Sequence, residues 1–274
     1  MPNQVITGVI LNKSRDLIYS NLFLKHETPR NLSVLISGAE RIGTSWCALS
    51  IAHALNAEKK RILLVDGNGN FSNISSYLIL QNTSFLEDYI KGKKTLNQLT
   101  VPYKNKNFHI LTAEQGNNYL AELPLGRVQI MAEDLQILAE NYDHTIIDLG
   151  TELTDKNLSL CQIADNILIM CSENSADLIK TFDLIKFMNE TKIDANYNLI
   201  INKVNSFEDG YKIYEELNKA DRNGLKCPDL LGIVRIDTRI RDTIRNKELL
   251  LSRYPTSEAA LDICNIAKKL GQGI

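Results

Sequence analysis

Short apolar runs recur along the chain, and segments with the spacing of amphipathic helices separate them. The runs that predict strands are 32–37, 61–66, 108–111, 145–148, 166–171, 197–202 and 230–234. The helical patterns lie at about 44–57, 127–141, 156–163, 176–191, 207–220 and 256–270. Near-continuous apolar runs suit strands that are covered on both faces. The alternation therefore predicts an α/β fold with a doubly wound, mostly parallel sheet and helices on both faces.

The bulk properties fit one globular domain with a substantial core. The chain has 274 residues, of which 44% are hydrophobic and 23% charged. Its net charge of −2 argues against a protein that coats nucleic acid, since such proteins carry a basic excess. Five widely spaced cysteines include no C-x-x-C pair, so we expect neither a disulfide framework nor a zinc site, and we expect a cytoplasmic protein.

Residues 1–31 precede the first predicted strand, and residues 32–274 form the predicted domain. The start of the chain has no charged region before its apolar part, so we expect neither a signal peptide nor a membrane-spanning helix there. Within it, the segment 17–24 is apolar enough for a helix. We interpret residues 1–31 as an N-terminal extension that packs on the domain, with docking to a partner as the alternative.

A tight glycine-containing loop follows the first predicted strand and leads into the first predicted helix. Its spacing is Gly38-x-x-x-x-Gly43-Thr44-Ser45. Glycines let a backbone curl around an anion, and a helix N-terminus adds partial positive charge, so the pattern predicts a phosphate-binding loop. The candidate nucleotide-binding residues in this loop are Gly38, Glu40, Arg41, Gly43, Thr44 and Ser45.

The charge of this loop departs from what phosphate binding needs, because Thr44 stands where a lysine is expected. Losing one charge-assisted contact costs roughly 1.5–3 kcal/mol. The carboxylate of Glu40 would repel a phosphate about 5 Å away by about 3 kcal/mol at an effective dielectric near 20. Together these effects would move a micromolar site into the millimolar range, at about 1.4 kcal/mol per decade, unless Arg41 turns inward.

Polar residues close three of the predicted strands, at the edge where parallel sheets bind ligands. Asp148 stands where a carboxylate holds Mg²⁺ through water, and Ser45 would then be the direct ligand. Asp66 could orient the attacking water or the metal shell, and the amide of Asn202 could read a base edge. Each could instead cap a helix or satisfy a loop. Their order behind the loop favours the functional interpretation.

The order of these motifs resembles the MinD/ParA group of P-loop ATPases, whose loop reads K-G-G-x-G-K-[ST]. Within this group the chain is most similar to the FlhG-type branch, which regulates the number and placement of flagella. The resemblance covers about residues 32–270 and includes the loop, the strand-end residues and three further regions. These regions are 85–96 with 109–116, 148–150, and 231–237 with 252–257.

The resemblance implies a protein that binds ATP or ADP with Mg²⁺. In this family ATP binding makes a sandwich dimer that gains membrane affinity, and that cycle is not carried over to this chain. In this family the first loop lysine reaches the nucleotide of the partner subunit, and here Ala39 takes its place. Asn68 replaces the second acid of the first switch, while Glu40, Arg41 and Thr44 change the loop itself. The resemblance thus implies a kept scaffold and metal shell, with weak or lost phosphate neutralisation and hydrolysis.

Three functions remain open at this point. The first is an ATP-hydrolysing switch for flagellar placement, division-site choice or DNA partition, with Asp66 and Asp148 as catalytic residues and Arg41 replacing the missing charge. The second, which the loop favours, is a pseudo-ATPase that acts as a partner-binding module. The third is a kinase domain of the bacterial tyrosine-kinase type, disfavoured because only Tyr254 follows Tyr214.

The expected partner is a protein of the flagellar or polar assembly machinery. A signal-recognition-type GTPase and a paralogous ATPase with an intact loop are candidates, and a dimer of this chain is another. The basic residues of 235–247 are interpreted as a protein contact or a plain helix face. We expect no membrane anchor of the chain's own, because the C-terminal apolar positions suit the inner face of a packed helix, so any membrane or polar attachment would be peripheral and through a partner. These positions are Leu261, Ile263, Ile266, Ala267 and Leu270.

Overall fold

Eight strands form one sheet in the order β3-β4-β2-β5-β1-β6-β7-β8, in a computed structural model that describes residues 31–67, 74–80, 85–114, 120, 123–151, 154–219 and 227–273. The strands are β1 (Leu32–Ser37), β2 (Ile62–Asp66), β3 (Val101–Tyr103), β4 (Asn105–Leu111), β5 (His144–Asp148), β6 (Asn166–Ser172), β7 (Asn196–Val204) and β8 (Asp229–Arg235). All neighbouring pairs are parallel except β3 and β4. The predicted α/β sheet is confirmed. Residues 1–30, with the predicted segment 17–24, and Asn68 lie outside the described residues.

Helices connect the strands and cover the sheet. They are α1 (Thr44–Ala57), α2 (Leu86–Ile90), α3 (Leu96–Leu99), α4 (Leu125–Ala139), α5 (Asp155–Cys161), α6 (Ser175–Thr191), α7 (Phe207–Lys219), α8 (Thr238–Asn246), α9 (Leu250–Arg253) and α10 (Glu258–Gly271). A 3-10 turn lies at Ile74–Tyr77. The predicted long helices all occur, with ends that differ by at most two residues from the observed ones.

The sheet separates two apolar cores, as a doubly wound fold requires. Side chains of α1 and α10 pack on one face, together with Leu35 and Leu64 of the inner strands. Side chains of α4, α5, α6 and α7 pack on the other face, together with Val34 and Leu63. Successive residues of a strand thus point into different cores. This explains why β1, β2 and β5 are buried along their whole length.

The apolar pattern did not predict β3, α8, the short helices α2, α3 and α9, or the 3-10 turn. The antiparallel edge strand β3 has three residues and contains Pro102, too short and irregular for a strand signal. Helix α8 carries three arginines, and only Thr243 among its residues is buried. Ile240 is only partly buried against one core and Ile244 is 37% exposed, so α8 lacks the broad core-facing stripe on which helix prediction depends.

One of the apolar positions predicted for the inner face of the C-terminal helix is exposed. Ile263, Ile266 and Leu270 of α10 are buried as expected, but Leu261 is 50% exposed and does not lie on the inner face. Asp262 takes the inward position instead, since it binds the guanidinium and main-chain N–H of Arg235. No helix among the described residues is both long and apolar enough to cross a membrane.

The topology of the central strands places the candidate site. Strand β1 lies between β5 and β6, and the chain leaves β1 towards β2 on one side and later reaches β6 on the other. Such a switch point leaves a crevice at the carboxyl ends of the strands. The glycine-containing loop after β1 opens into this crevice.

Candidate functional site

The loop between β1 and α1 has the shape of an anion cradle. The Ser37 N–H donates to the Gly150 carbonyl at 2.9 Å, which ties the end of β1 to the segment after β5. Gly43 has a φ of 102°, and Arg41 has a φ of 61°, so the loop turns sharply just before α1. Residues 44–46 form the first turn of α1 and line the cavity, where the N–H groups of a helix start have no acceptor within the helix.

Gly38 is required at the start of the loop by packing. A Cβ at this position would lie 2.5 Å from the carbonyl oxygen of Lys180 in α6. Side chains cannot approach a backbone that closely without a shift of one element. Gly38 therefore allows the loop to lie against α6 and does not itself line the cavity.

Two adjacent residues near the end of β7 hold two successive carbonyls of the loop. Asn202 donates from Nδ2 to the Ile42 carbonyl at 2.8 Å. Lys203 donates from Nζ to the Arg41 carbonyl. The Oδ1 atom of Asn202 accepts the Lys203 N–H at 2.9 Å. Asn202 thus supports the loop in this structure, and its predicted contact with a base edge stays a prediction.

The side chain that replaces the loop lysine is engaged within the protein. Thr44 is 6% exposed, and its hydroxyl lies 3.2 Å from the hydroxyl of Ser37. Ser37 also donates to the Ala39 carbonyl at 3.0 Å. The short hydroxyl of Thr44 therefore closes the base of the loop, whereas a lysine would extend along it with a charge. Glu40 and Arg41 are exposed and line the cavity.

The two strand-end acids lie side by side beneath the loop. Asp66 and Asp148 are register partners on the adjacent parallel strands β2 and β5, and both are fully buried. Burial raises the pKa of Asp148 to about 6, although the nearby Ser45 hydroxyl and the Gly150 N–H oppose the rise. The Gly150 N–H donates to Asp148 Oδ1 at 3.1 Å.

The surroundings of Asp148 suit a hard cation. Its Oδ2 atom is buried and accepts no hydrogen bond within 3.5 Å from a described residue. A buried oxygen in this state gains from a positive ligand or its water. Among the described residues no three acidic, histidine or cysteine side chains cluster as metal ligands. The roles of Ser45 as a direct Mg²⁺ ligand and of Asp148 as a ligand through water stay predictions.

A cavity of about 850 Å³ opens above the loop. This volume is typical of sites for small organic ligands. The lining residues come from the loop, from the segment after β5, and from the ends of β7 and β8 with α8. They are Glu40, Arg41, Gly43, Thr44, Ser45, Trp46, Tyr77, Gly150, Thr151, Asn202, Lys203, Arg235, Ile236, Asp237, Ile240, Arg241 and Ile244. Five of the predicted loop residues and Asn202 thus share one cavity, while Asp66 and Asp148 lie below it.

Sequence reasoning missed several lining residues. Lys203 directly follows Asn202, the last residue of the predicted strand 197–202. This position is the sequence signal that identifies Lys203 as a candidate. The basic segment 235–247 was noticed but interpreted as one surface. The structure divides it, because Arg235 pairs with Asp262 at 2.9 Å and Glu258 at 2.7 Å, while Arg241 lines the cavity.

Comparison with curated proteins finds a relative that matches most of the chain. The antiactivator FleN of Pseudomonas aeruginosa is 19% identical over 243 residues, which cover 88% of this chain and 86% of FleN. No family model matches the chain. FleN is an FlhG-type protein, so this finding agrees with the branch expected from the sequence.

Solved structures of MinD proteins have the same fold. MinD in the MinC:MinD complex of Aquifex aeolicus superposes with a TM-score of 0.75 at 18% identity, covering 89% of this chain and 96% of that chain. MinD of Pyrococcus horikoshii in complex with Mg-ADP has a TM-score of 0.71 at 17% identity, covering 87% and 94%. The predicted MinD/ParA P-loop NTPase fold, and the resemblance to that family through its FlhG-type branch, are confirmed.

Proposed function

We propose that this protein, a MinD/ParA-type P-loop protein related to FleN, regulates flagellar or polar assembly as a partner-binding module. Its regulatory role would then not require ATP hydrolysis. FleN is named an antiactivator, and the Aquifex MinD structure is a complex with MinC. Both relatives support a regulator that acts by contacting another protein.

One observation carries the proposed loss of hydrolysis, namely the loop itself. Ala39 and Thr44 stand at the two lysine positions, and the Thr44 hydroxyl is engaged with Ser37. Hydrolysis requires that charge on the β- and γ-phosphates be neutralised while the leaving group departs. Within the loop, Arg41 is the sole cation, and Glu40 adds a negative charge beside it.

The scaffold for a nucleotide is nevertheless kept. The cradle, the cavity, Ser45 and the buried Asp148 fit ATP or ADP with Mg²⁺, as in the Mg-ADP complex of the Pyrococcus MinD. When bound, the metal ion would neutralise phosphate charge. The chain would position it through Ser45 and Asp148, and we propose weaker nucleotide binding than in proteins with loop lysines.

The partner is proposed from the resemblance rather than from a surface. A signal-recognition-type GTPase of the flagellar machinery, or a paralogous ATPase with an intact loop, would fit a FleN-like regulator. A dimer of this chain is a further proposal. In each case the protein would reside in the cytoplasm and reach the membrane or pole through its partner.

A second candidate is an active ATP-driven switch, and one specific relationship favours it. Asp66 and Asp148 remain in register, buried beneath the loop, with Ser45 beside Asp148. This is the placement that a metal-assisted hydrolysis site would need. Arg41, which lines the cavity, would then supply the missing positive charge.

Complementation distinguishes the two functions. In cells that lack the gene, wild-type protein and Asp66→Asn would be expressed at equal levels, with Asp183→Asn on the exposed face of α6 as a matched control. A partner-binding module predicts that all three restore the number and position of flagella. Failure of Asp66→Asn alone, with the protein folded and present, would contradict it and support the switch.

A further inference from the structure

Two cations face the cavity from outside the loop. Lys203 extends from β7, and Arg241 extends from α8. Burial lowers the pKa of Lys203, the charge of Asp177 opposes this, and the charge of Arg241 lowers the pKa further. Neither is within 4.0 Å of a described carboxylate, in contrast to Arg235 and Arg239.

The other charges that line the cavity do not balance this pair. Asp237 is paired with Arg239. Its Oδ1 atom accepts hydrogen bonds from the main-chain N–H of Arg239 at 2.9 Å and from Nε of Arg239 at 2.8 Å. Arg235 is likewise committed to Asp262 and Glu258. Arg41, Lys203 and Arg241 then face the cavity against the single carboxylate of Glu40. This part of the cavity lining is therefore positively charged, although the net charge of the whole protein is −2.

The position of Lys203 suits contact with an anion at the loop. The Arg41 carbonyl accepts a hydrogen bond from Nζ of Lys203 and so places this ammonium beside the loop. Lys203 and Arg241 are both exposed, and both line the cavity. An anion that contacts both side chains would gain charge-assisted hydrogen bonds from each.

The apolar lining indicates what kind of anion fits. Ile236, Ile240 and Ile244 line the cavity beside Arg241, and Ile236 and Ile244 are 50% and 37% exposed. An inorganic ion would leave this surface wet, whereas a nucleoside phosphate brings a planar apolar group together with its negative charge. The cavity of about 850 Å³ has room for both parts.

We propose that Lys203 and Arg241 bind the phosphate groups of a nucleoside phosphate in this cavity. They would supply from β7 and α8 the positive charge that the loop lacks. The proposal does not depend on whether the ligand is hydrolysed or on which protein is regulated. It rests on the nucleotide site proposed above, and it can fail separately, because the site could bind ADP through the loop without these two side chains.

Calorimetric titration with ADP and with adenosine tests the proposal. Lys203→Gln and Arg241→Gln each remove one cation, and Arg245→Gln on the exposed part of the same helix is the matched control. Each of the first two variants should weaken ADP binding about 10- to 100-fold. Adenosine affinity should change little, and the control should bind ADP like the wild type.

Three results would overturn the proposal. One is unchanged ADP affinity in Arg241→Gln, whose exposed side chain can be replaced without disturbing the fold. Another is an equal loss of ADP and adenosine affinity in Lys203→Gln, which would assign Lys203 only to holding the Arg41 carbonyl. The third is a wild type that binds neither ligand at millimolar concentration. Hydrolysis enters none of these readouts.

Discussion

The side-chain amide of Asn202 donates a 2.8 Å hydrogen bond to the main-chain carbonyl of Ile42 across a sequence separation of 160 residues. Asn202 is 3% exposed, so this bond is made in a buried setting. It joins the end of β7 to the loop that follows β1. The loop therefore keeps its shape through contacts with the protein itself.

Replacing Asn202 with alanine should loosen the loop. The Ile42 carbonyl would lose a buried donor, a change that costs about 1–3 kcal/mol. We expect the free energy of unfolding to fall by this amount and the amide hydrogens of 43–45 to exchange faster. Asn198→Ala is the matched control, since Asn198 is also buried on β7 but does not contact the loop. Equal exchange rates in both variants would contradict the assignment.

Asp148 should make stability depend on pH. Its pKa is raised from 3.8 to about 6, so the folded protein keeps the proton longer than the unfolded chain does. The contribution of this group to stability therefore falls as pH rises from about 4 to about 6, by about 3 kcal/mol in all. Asp148→Asn should be more stable than the wild type at neutral pH, and the difference should vanish below about pH 4.

Chemical denaturation at a series of pH values measures this effect. Asp183→Asn, at an exposed position of α6, should show no such trend and serves as the control. A difference between Asp148→Asn and wild type that stays constant with pH would show that Asp148 titrates normally in the folded protein.

Gly38→Ala should be strongly destabilising. Its new Cβ would meet the Lys180 carbonyl oxygen at 2.5 Å and the Thr181 nitrogen at 2.8 Å, and both are backbone atoms. Overpacking of this kind costs about 1–3 kcal/mol. Gly126→Ala, with nothing within 4 Å, should leave stability unchanged or raise it. Thermal unfolding of the two variants compares them, and equal melting temperatures would contradict the predicted contact.

Breaking the buried ion pair of α10 should lower the free energy of unfolding more than breaking an exposed ion pair. Asp262 is 1% exposed at its side chain and binds Arg235 through Nε, a terminal guanidinium nitrogen and the main-chain N–H. Asp262→Ala would leave the guanidinium without this partner and should cost about 3–5 kcal/mol. Asp143→Ala breaks the exposed pair with Arg61 and should cost much less. The reverse order of stability loss would refute this comparison.

The apolar pattern predicted the parts of the fold that are buried on both sides. Strands such as β1 and β5 read as continuous apolar runs because two cores cover them. The pattern failed for α8, whose isoleucines face the cavity and whose buried residue is Thr243. A helix that lines a site, rather than a core, carries no core-facing stripe from which to predict it.

The candidate site was predictable only where the chemistry is local. The loop follows from the spacing of Gly38 and Gly43, and the acids follow from strand ends. The convergence of Lys203 and Arg241 depends on how the ends of β7 and β8 are placed in the sheet, which no local spacing encodes. The role of Asn202 in holding Ile42 likewise becomes visible only in three dimensions.

The most direct test of the central claim is phosphate release from Mg-ATP under single-turnover conditions. Wild type, Asp66→Asn, Asp148→Asn and the loop-restoring variant Glu40→Gly/Thr44→Lys would be compared at the same protein concentration, and Mg-ATP binding would be titrated alongside. If the loop has lost its phosphate charge, wild type releases no more phosphate than Asp148→Asn, and the loop-restoring variant binds Mg-ATP more tightly. Turnover by the wild type that Asp148→Asn and Asp66→Asn both abolish would contradict the account and establish an active ATPase.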